Sequence, residues 1–145
     1  MKSISGNFKE CVIQYDKLQD NGLEKKVTEK YVVKADSFTE AESRIIGFMD
    51  DNVGEPVEVI NINPCVFREF IPSEGEELYF KVKIALVTLN EKTGKEKKSR
   101  VNYLVQADSF DDVKAIVKDL MSGVMLDYVV EEVKETSYVS VSVEG

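Results

Sequence analysis

Adding 72 to the number of each residue from Phe8 to Ile46 lands, without a gap, on Phe80 to Lys118, and twelve of the thirty-nine pairs are identical. The matches cluster: Phe8-Lys9 with Phe80-Lys81, Gly22 with Gly94, Glu24-Lys25-Lys26 with Glu96-Lys97-Lys98, Tyr31 and Val33 with Tyr103 and Val105, and Ala35-Asp36-Ser37-Phe38 with Ala107-Asp108-Ser109-Phe110. Self-similarity at a fixed period constrains a fold more than any local pattern, because both copies must adopt one supersecondary unit. Past the first helical pattern the offset drops to 71, which pairs Phe67 with Tyr138. The reading is a tandem duplication: a first repeat over 1–71, an acidic connector over 72–77 (Pro-Ser-Glu-Gly-Glu-Glu) and a second repeat over 78–145. A chain of 145 residues suits one compact domain made of two such halves.

Each repeat reads as ββαββ. Phe80, Val82, Ile84 and Leu86 alternate with Lys81, Lys83 and Ala85, the period of two of a half-buried strand. Phe8 to Tyr15 alternates less cleanly and leaves its buried face open. Gly22 and Gly94 then mark hairpin tips, where positive φ is needed. The return strands carry Tyr31, Val33 and Ala35, or Tyr103, Val105 and Ala107, on one face. Ser37-Phe38-Thr39-Glu40 and Ser109-Phe110-Asp111-Asp112 place a capping hydroxyl three residues before an acid, which predicts helix starts. Phe38, Ala41, Ile45, Phe48 and Met49, and Phe110, Val113, Ile116, Val117, Leu120 and Met121, recur at helical spacing. Strands over 57–62 and 128–133, then short strands over 66–71 and 138–143, complete each unit. The expected fold is α+β: antiparallel sheets, each covered by one amphipathic helix, related by a pseudo-twofold.

The chemistry of catalysis finds little to work with. No histidine is present, which removes the commonest general base and metal ligand. The phosphate-cradling GxxxxGK[ST] and the hydrolase GxSxG are both missing. Asp36 and Asp108 precede helix caps, where carboxylates serve conformation, and the clusters Asp50-Asp51 and Glu74-Glu76-Glu77 fit no calcium-loop spacing. Cys11 and Cys65 lack CxxC spacing and sit among apolar residues, so both are expected buried and reduced. No catalytic residue, metal site or cofactor is expected, and no apolar run is long enough for a membrane span. The expected location is the cytoplasm of a bacterium or infected host.

A binding function remains. The net charge is −8, yet Asn90 to Arg100 holds five basic residues and two acids. The candidate nucleic-acid contacts are Lys25, Lys26, Lys92, Lys95, Lys97, Lys98 and Arg100 on the hairpin tips. A basic channel between two tips, with Tyr15, Tyr31, Tyr79 or Tyr103 for stacking, would suit single-stranded nucleic acid. The blander reading of such hairpins is solubility, since charged tips oppose strand aggregation. A protein-interaction module using the acidic surface or an open sheet edge against a host or phage protein is the alternative, and a homo-oligomer is a third.

The block Thr28–Glu42 (TEKYVVKADSFTEAE), the strand FKVKI at 80–84, the hairpin Lys92–Lys98 (KTGKEKK) and the second block YLVQADSF at 103–110 together span most of the chain. In these it resembles a family of small proteins of unassigned function from gut anaerobes and their tailed phages, marked by repeated ADSF blocks. The resemblance implies a setting and no mechanism. It favours an accessory protein of phage or mobile-element DNA metabolism, or an inhibitor of a host protein.

Overall fold

Long amphipathic strands and two capped helices account for most of the chain, and a computed structural model describes residues 2–143. In order the elements are β1 (Ile4–Ser5), β2 (Phe8–Leu18), β3 (Glu24–Lys34), α1 (Phe38–Asn52), β4 (Glu58–Pro64), β5 (Glu69–Ile71), β6 (Leu78–Leu89), β7 (Glu96–Ala107), α2 (Phe110–Met121), β8 (Asp127–Glu135) and β9 (Tyr138–Ser142). They form two mixed sheets, β1-β5-β7-β6-β8 and β4-β2-β3-β9. The expectation of antiparallel sheets is corrected on this point, because β5 runs parallel to β7 and β9 parallel to β3.

The parallel pairings have a topological cause. β5 follows the first helix in sequence but joins the sheet of β6, β7 and β8, whereas β9 follows the second helix but joins β2, β3 and β4. The two compact units are therefore 2–5 with 66–136, and 6–65 with 137–143; the first takes β1 and β5 from the first half of the chain and the second takes β9 from the second half. A strand entering from another half is free of the hairpin constraint that enforces antiparallel neighbours.

Within the 6–65 unit, Cys11, Ile13 and Tyr15 of β2 and Tyr31, Val33 and Ala35 around β3 bury against Ala41, Ile45 and Met49 of α1. In the other unit Phe80, Val82 and Ile84 of β6 and Val105 and Ala107 of β7 bury with Ile71 against Val113, Val117 and Met121 of α2. Both helices begin as expected: the Ser37 hydroxyl accepts from Glu40 N and the Ser109 hydroxyl from Asp112 N, each at 3.1 Å. Phe38 and Phe110, placed in the apolar stripes by spacing, stay about half exposed at the first helical position.

The ladders revise the sequence register. From Glu24 to the end of α1 the offset of 72 holds, since Tyr31 and Tyr103 are matched in both strand and face and Met49 and Met121 are both buried core residues. On the first strand it fails. Lys9 lies opposite Val33 and Phe80 opposite Val105, so the offset there is 71, and the Phe8-Lys9 and Phe80-Lys81 identity pairs residues of opposite faces. The extra residue sits in the second tip: five residues join Leu18 to Glu24 and six join Leu89 to Glu96. Gly22 (φ 82°) and Gly94 (φ 68°) both take the left-handed conformation, which a side chain would resist. Two of the outer strands, β4 and β8, carry equivalent irregularities, at Val12/Ile13 and at Lys83/Ile84, leaving Ile60 and Glu131 without a ladder partner.

Candidate nucleic-acid interface

The seven basic residues singled out by sequence fall in two separate units. Lys25 and Lys26 open β3, while Lys92 and Lys95 lie in the β6–β7 loop and Lys97, Lys98 and Arg100 on β7. All seven are exposed. A strand sends successive side chains to opposite faces, so each Lys-Lys pair splits: Lys25 and Lys97 share the face of the helix, Lys26 and Lys98 the outer one. The Glu-Lys-Lys trio is thus not a patch in itself. Lys25 also pairs with Lys17 across the ladder, and Lys26 with Asp16.

The outer face of the β7-β6-β8 sheet gathers more charge. Arg100 makes a two-pronged contact with Glu131, Nε to Oε1 at 2.8 Å and Nη2 to Oε2 at 3.4 Å. This hydrogen bond, with the charges of Arg100, Lys98 and Lys83, holds the Glu131 carboxyl below its usual range against an opposing effect of burial. Arg100 is raised by the same contact and is largely spoken for. Beside it Lys81, Lys83, Asn102, Glu132 and Lys134 line a cavity of ≈ 220 Å³ with Val66 and Phe67. In sequence Lys81 and Lys83 read as the wet side of a strand. Their spacing of two, which puts them on one face, was the available signal, but Lys134 joins them only through the β6–β8 ladder.

The rings proposed for stacking are not presented. Tyr15, Tyr31 and Tyr79 are buried, with Tyr79 against Phe70 at 6.2 Å between centroids, and Tyr103 is half-buried. The Tyr31 hydroxyl donates to Glu29 at 2.9 Å. Burial, then the hydrogen bond to Glu29, pushes the Tyr15 hydroxyl up to about 12 and moves Tyr31 further in the same direction. Tyr138 of β9, also buried, donates to Glu10 at 3.1 Å.

The thiols part company. Cys11 is fully buried, and burial followed by the charge of Glu10 pushes it up to about 12, far from a nucleophile. Cys65, expected to be buried, is only partly covered, and neither is in a disulfide. Among the described residues no group of three or more Cys, Asp or Glu is arranged to hold a metal, and no helix is long and apolar enough to cross a membrane.

Fold and surface together define an α+β protein of two strand-exchanging units with a lysine-lined sheet face. Residues 7–144 match the family described as Domain of unknown function (DUF4494), and the chain belongs to that family. No curated protein and no solved structure matches it.

Proposed function

We propose that this chain is a non-enzymatic binding protein that holds a polyanion, single-stranded nucleic acid, on the outer face of the β7-β6-β8 sheet. The carrying observation is the cavity walled by Lys81, Lys83 and Lys134 with Asn102 and one carboxylate, Glu132, in a chain of net charge −8. Lysines concentrated on one face of an acidic protein give local affinity for phosphates without a generally basic surface. Relative to the hairpin tips, this reading moves the contact onto the sheet and rests on backbone charge and amide hydrogen bonds, with little stacking. The setting is phage or mobile-element DNA metabolism in the cytoplasm, as the resemblance implies.

We further propose descent from one duplicated ββαββ unit. Support comes from the matching sheet orders, the serine caps, the tip glycines and the equivalent irregularities at Ile60 and Glu131.

Fluorescence anisotropy with a labelled oligothymidylate at low salt tests the binding. Salt-sensitive binding is expected, with a log–log slope of about −0.7 per phosphate neutralised. Lys83→Glu with Lys134→Glu abolishes it, while Lys25→Glu with Lys26→Glu leaves it intact. Absence of salt-sensitive binding, or dependence on Lys25 and Lys26 alone, sinks the sheet-face assignment.

A further inference from the structure

On its other face the same sheet leaves an apolar groove beside an edge strand. β8 ends its sheet, so only its β6 side is laddered. Leu126 just before it and Tyr128, Val129 and Val130 along it are all between 39% and 49% exposed, in contrast to Ile84 and Ala85 of the neighbouring β6, which are buried. Between β8 and α2 runs a groove of ≈ 470 Å³ walled by Val113 and Val117 on the helix and Tyr128, Val130 and Val133 on the strand. Exposed edges of this kind accept a further strand through main-chain hydrogen bonds, with side-chain pockets supplying selectivity.

Charge decides what that strand is. The helix wall of the groove carries Lys114 and Lys118, one turn apart, and among the described residues neither is in an ion pair. In an acidic chain with carboxylates to spare, two unpaired lysines at the rim of an apolar trough select for carboxylates in the occupant. A cationic strand would meet Lys114 and Lys118 with repulsion on the groove side, while the carboxylates of Glu132 and the Arg100-bound Glu131 lie on the opposite face of the sheet.

We propose that the α2–β8 groove is a docking site for an extended acidic segment of another protein, added antiparallel or parallel to β8. Its groove-facing positions carry an apolar side chain over Val117, Tyr128 and Val130, flanked by glutamates or aspartates that reach Lys114 and Lys118. This surface lies on the helix side of the sheet, apart from the lysines of the outer face, and stands or falls independently of nucleic-acid binding.

The test uses the full chain and a fluorescein-labelled peptide, Thr-Glu-Thr-Val-Thr-Glu-Thr, whose alternate positions place Glu, Val and Glu on one face. Anisotropy is expected to show saturable binding, and the counterpart with Lys for Glu should bind at least about tenfold more weakly. Lys114→Glu with Lys118→Glu, both solvent-facing helix changes, should reverse that preference, and Val130→Arg should abolish binding of either peptide. Hydrogen exchange should slow along 127–130 when the acidic peptide is bound. Equal affinity for both peptides, no binding of the acidic one, or a concentration-dependent dimer that protects β8 without peptide would overturn the proposal, the last by making a second copy the occupant.

Discussion

Lys9 faces Val33 across β2–β3 as Phe80 faces Val105 across β6–β7, so one helix-facing position carries a cation in one unit and a ring in the other. Phe80 meets the ring of Phe110 edge-on with centroids 5.1 Å apart. Lys9, only 9% exposed, donates to the Ala35 carbonyl at 3.2 Å and holds its ammonium 5.8 Å from the centroid of Phe38. Long alkyl stems allow a lysine to fill apolar space while its charge finds a carbonyl and a ring face at the margin. The two solutions differ in strength. Phe80→Ala is expected to cost about 3–5 kcal/mol through a core cavity. Lys9→Ala should cost about 1–3 kcal/mol, from one carbonyl left without its donor and one ring uncovered. Urea denaturation of the two variants decides: equal losses, or none at Lys9, would contradict this account of the position.

At the scale of elements, the connector between Ile71 and Leu78 is tied down by residues of β7 and its end. Gln106 accepts from Ser73 N at 3.1 Å and donates to the Glu76 carbonyl at 2.7 Å, and Asp108 accepts from Glu77 N at 3.1 Å. Glu76 Oε2 is shielded from solvent without a donor, although the residue as a whole is only half-buried, and its carboxyl meets that of Asp108. The hydrogen bond to Asp108, then burial, then the charges of Asp108 and Asp112, raise Glu76 above the usual carboxylate range. Asp108 is lowered by the same hydrogen bond and by Glu77 N, against burial. One proton shared by the pair satisfies both shifts. Because Glu76 is raised, its share of stability is present at low pH and lost as pH rises through its folded value. Asp108, being lowered, loses its share as pH falls through its own. The contact is therefore strongest in mild acid, with Glu76 protonated and Asp108 ionised. Glu76→Gln keeps a donor at every pH, so its melting temperature relative to wild type should rise from mild acid toward neutrality; a difference independent of pH would rule out the shared proton. None of this pairing was legible in Pro72–Glu77, which reads as a solvated turn. The serine caps and tip glycines were legible because each answers a local backbone demand. The β2 register was not, because the Phe8-Lys9 and Phe80-Lys81 identity outweighed a one-residue difference in loop length.

For the whole molecule, the exchanged strands hold the part of the fold that sequence could not assign. β5 and β9 are three and five residues long, and an apolar short strand looks the same whichever sheet receives it. The lysine-lined cavity is hidden for a related reason: Lys81 and Lys83 are close in sequence, but Lys134 reaches them only as the ladder partner of Lys81, far along the chain. Exchange has a physical consequence for stability. Without Tyr138–Ser142 the edge of β3 is uncovered, and without Glu69–Ile71 so is that of β7, each next to a buried core that includes Val33 or Ile71 with Val105. An uncovered edge beside a long hairpin invites pairing with other chains. Segments 1–71 and 72–145 expressed separately should therefore aggregate or form swapped oligomers, because each lacks the strand that completes its own sheet. Refolded together, they should give a 1:1 complex with the circular dichroism of the intact chain, since each supplies the other's missing edge. Light scattering coupled to size exclusion reads the outcome. Two well-folded monomeric halves would mean that neither sheet needs the strand it receives, and would reduce the exchange to an incidental feature of chain routing.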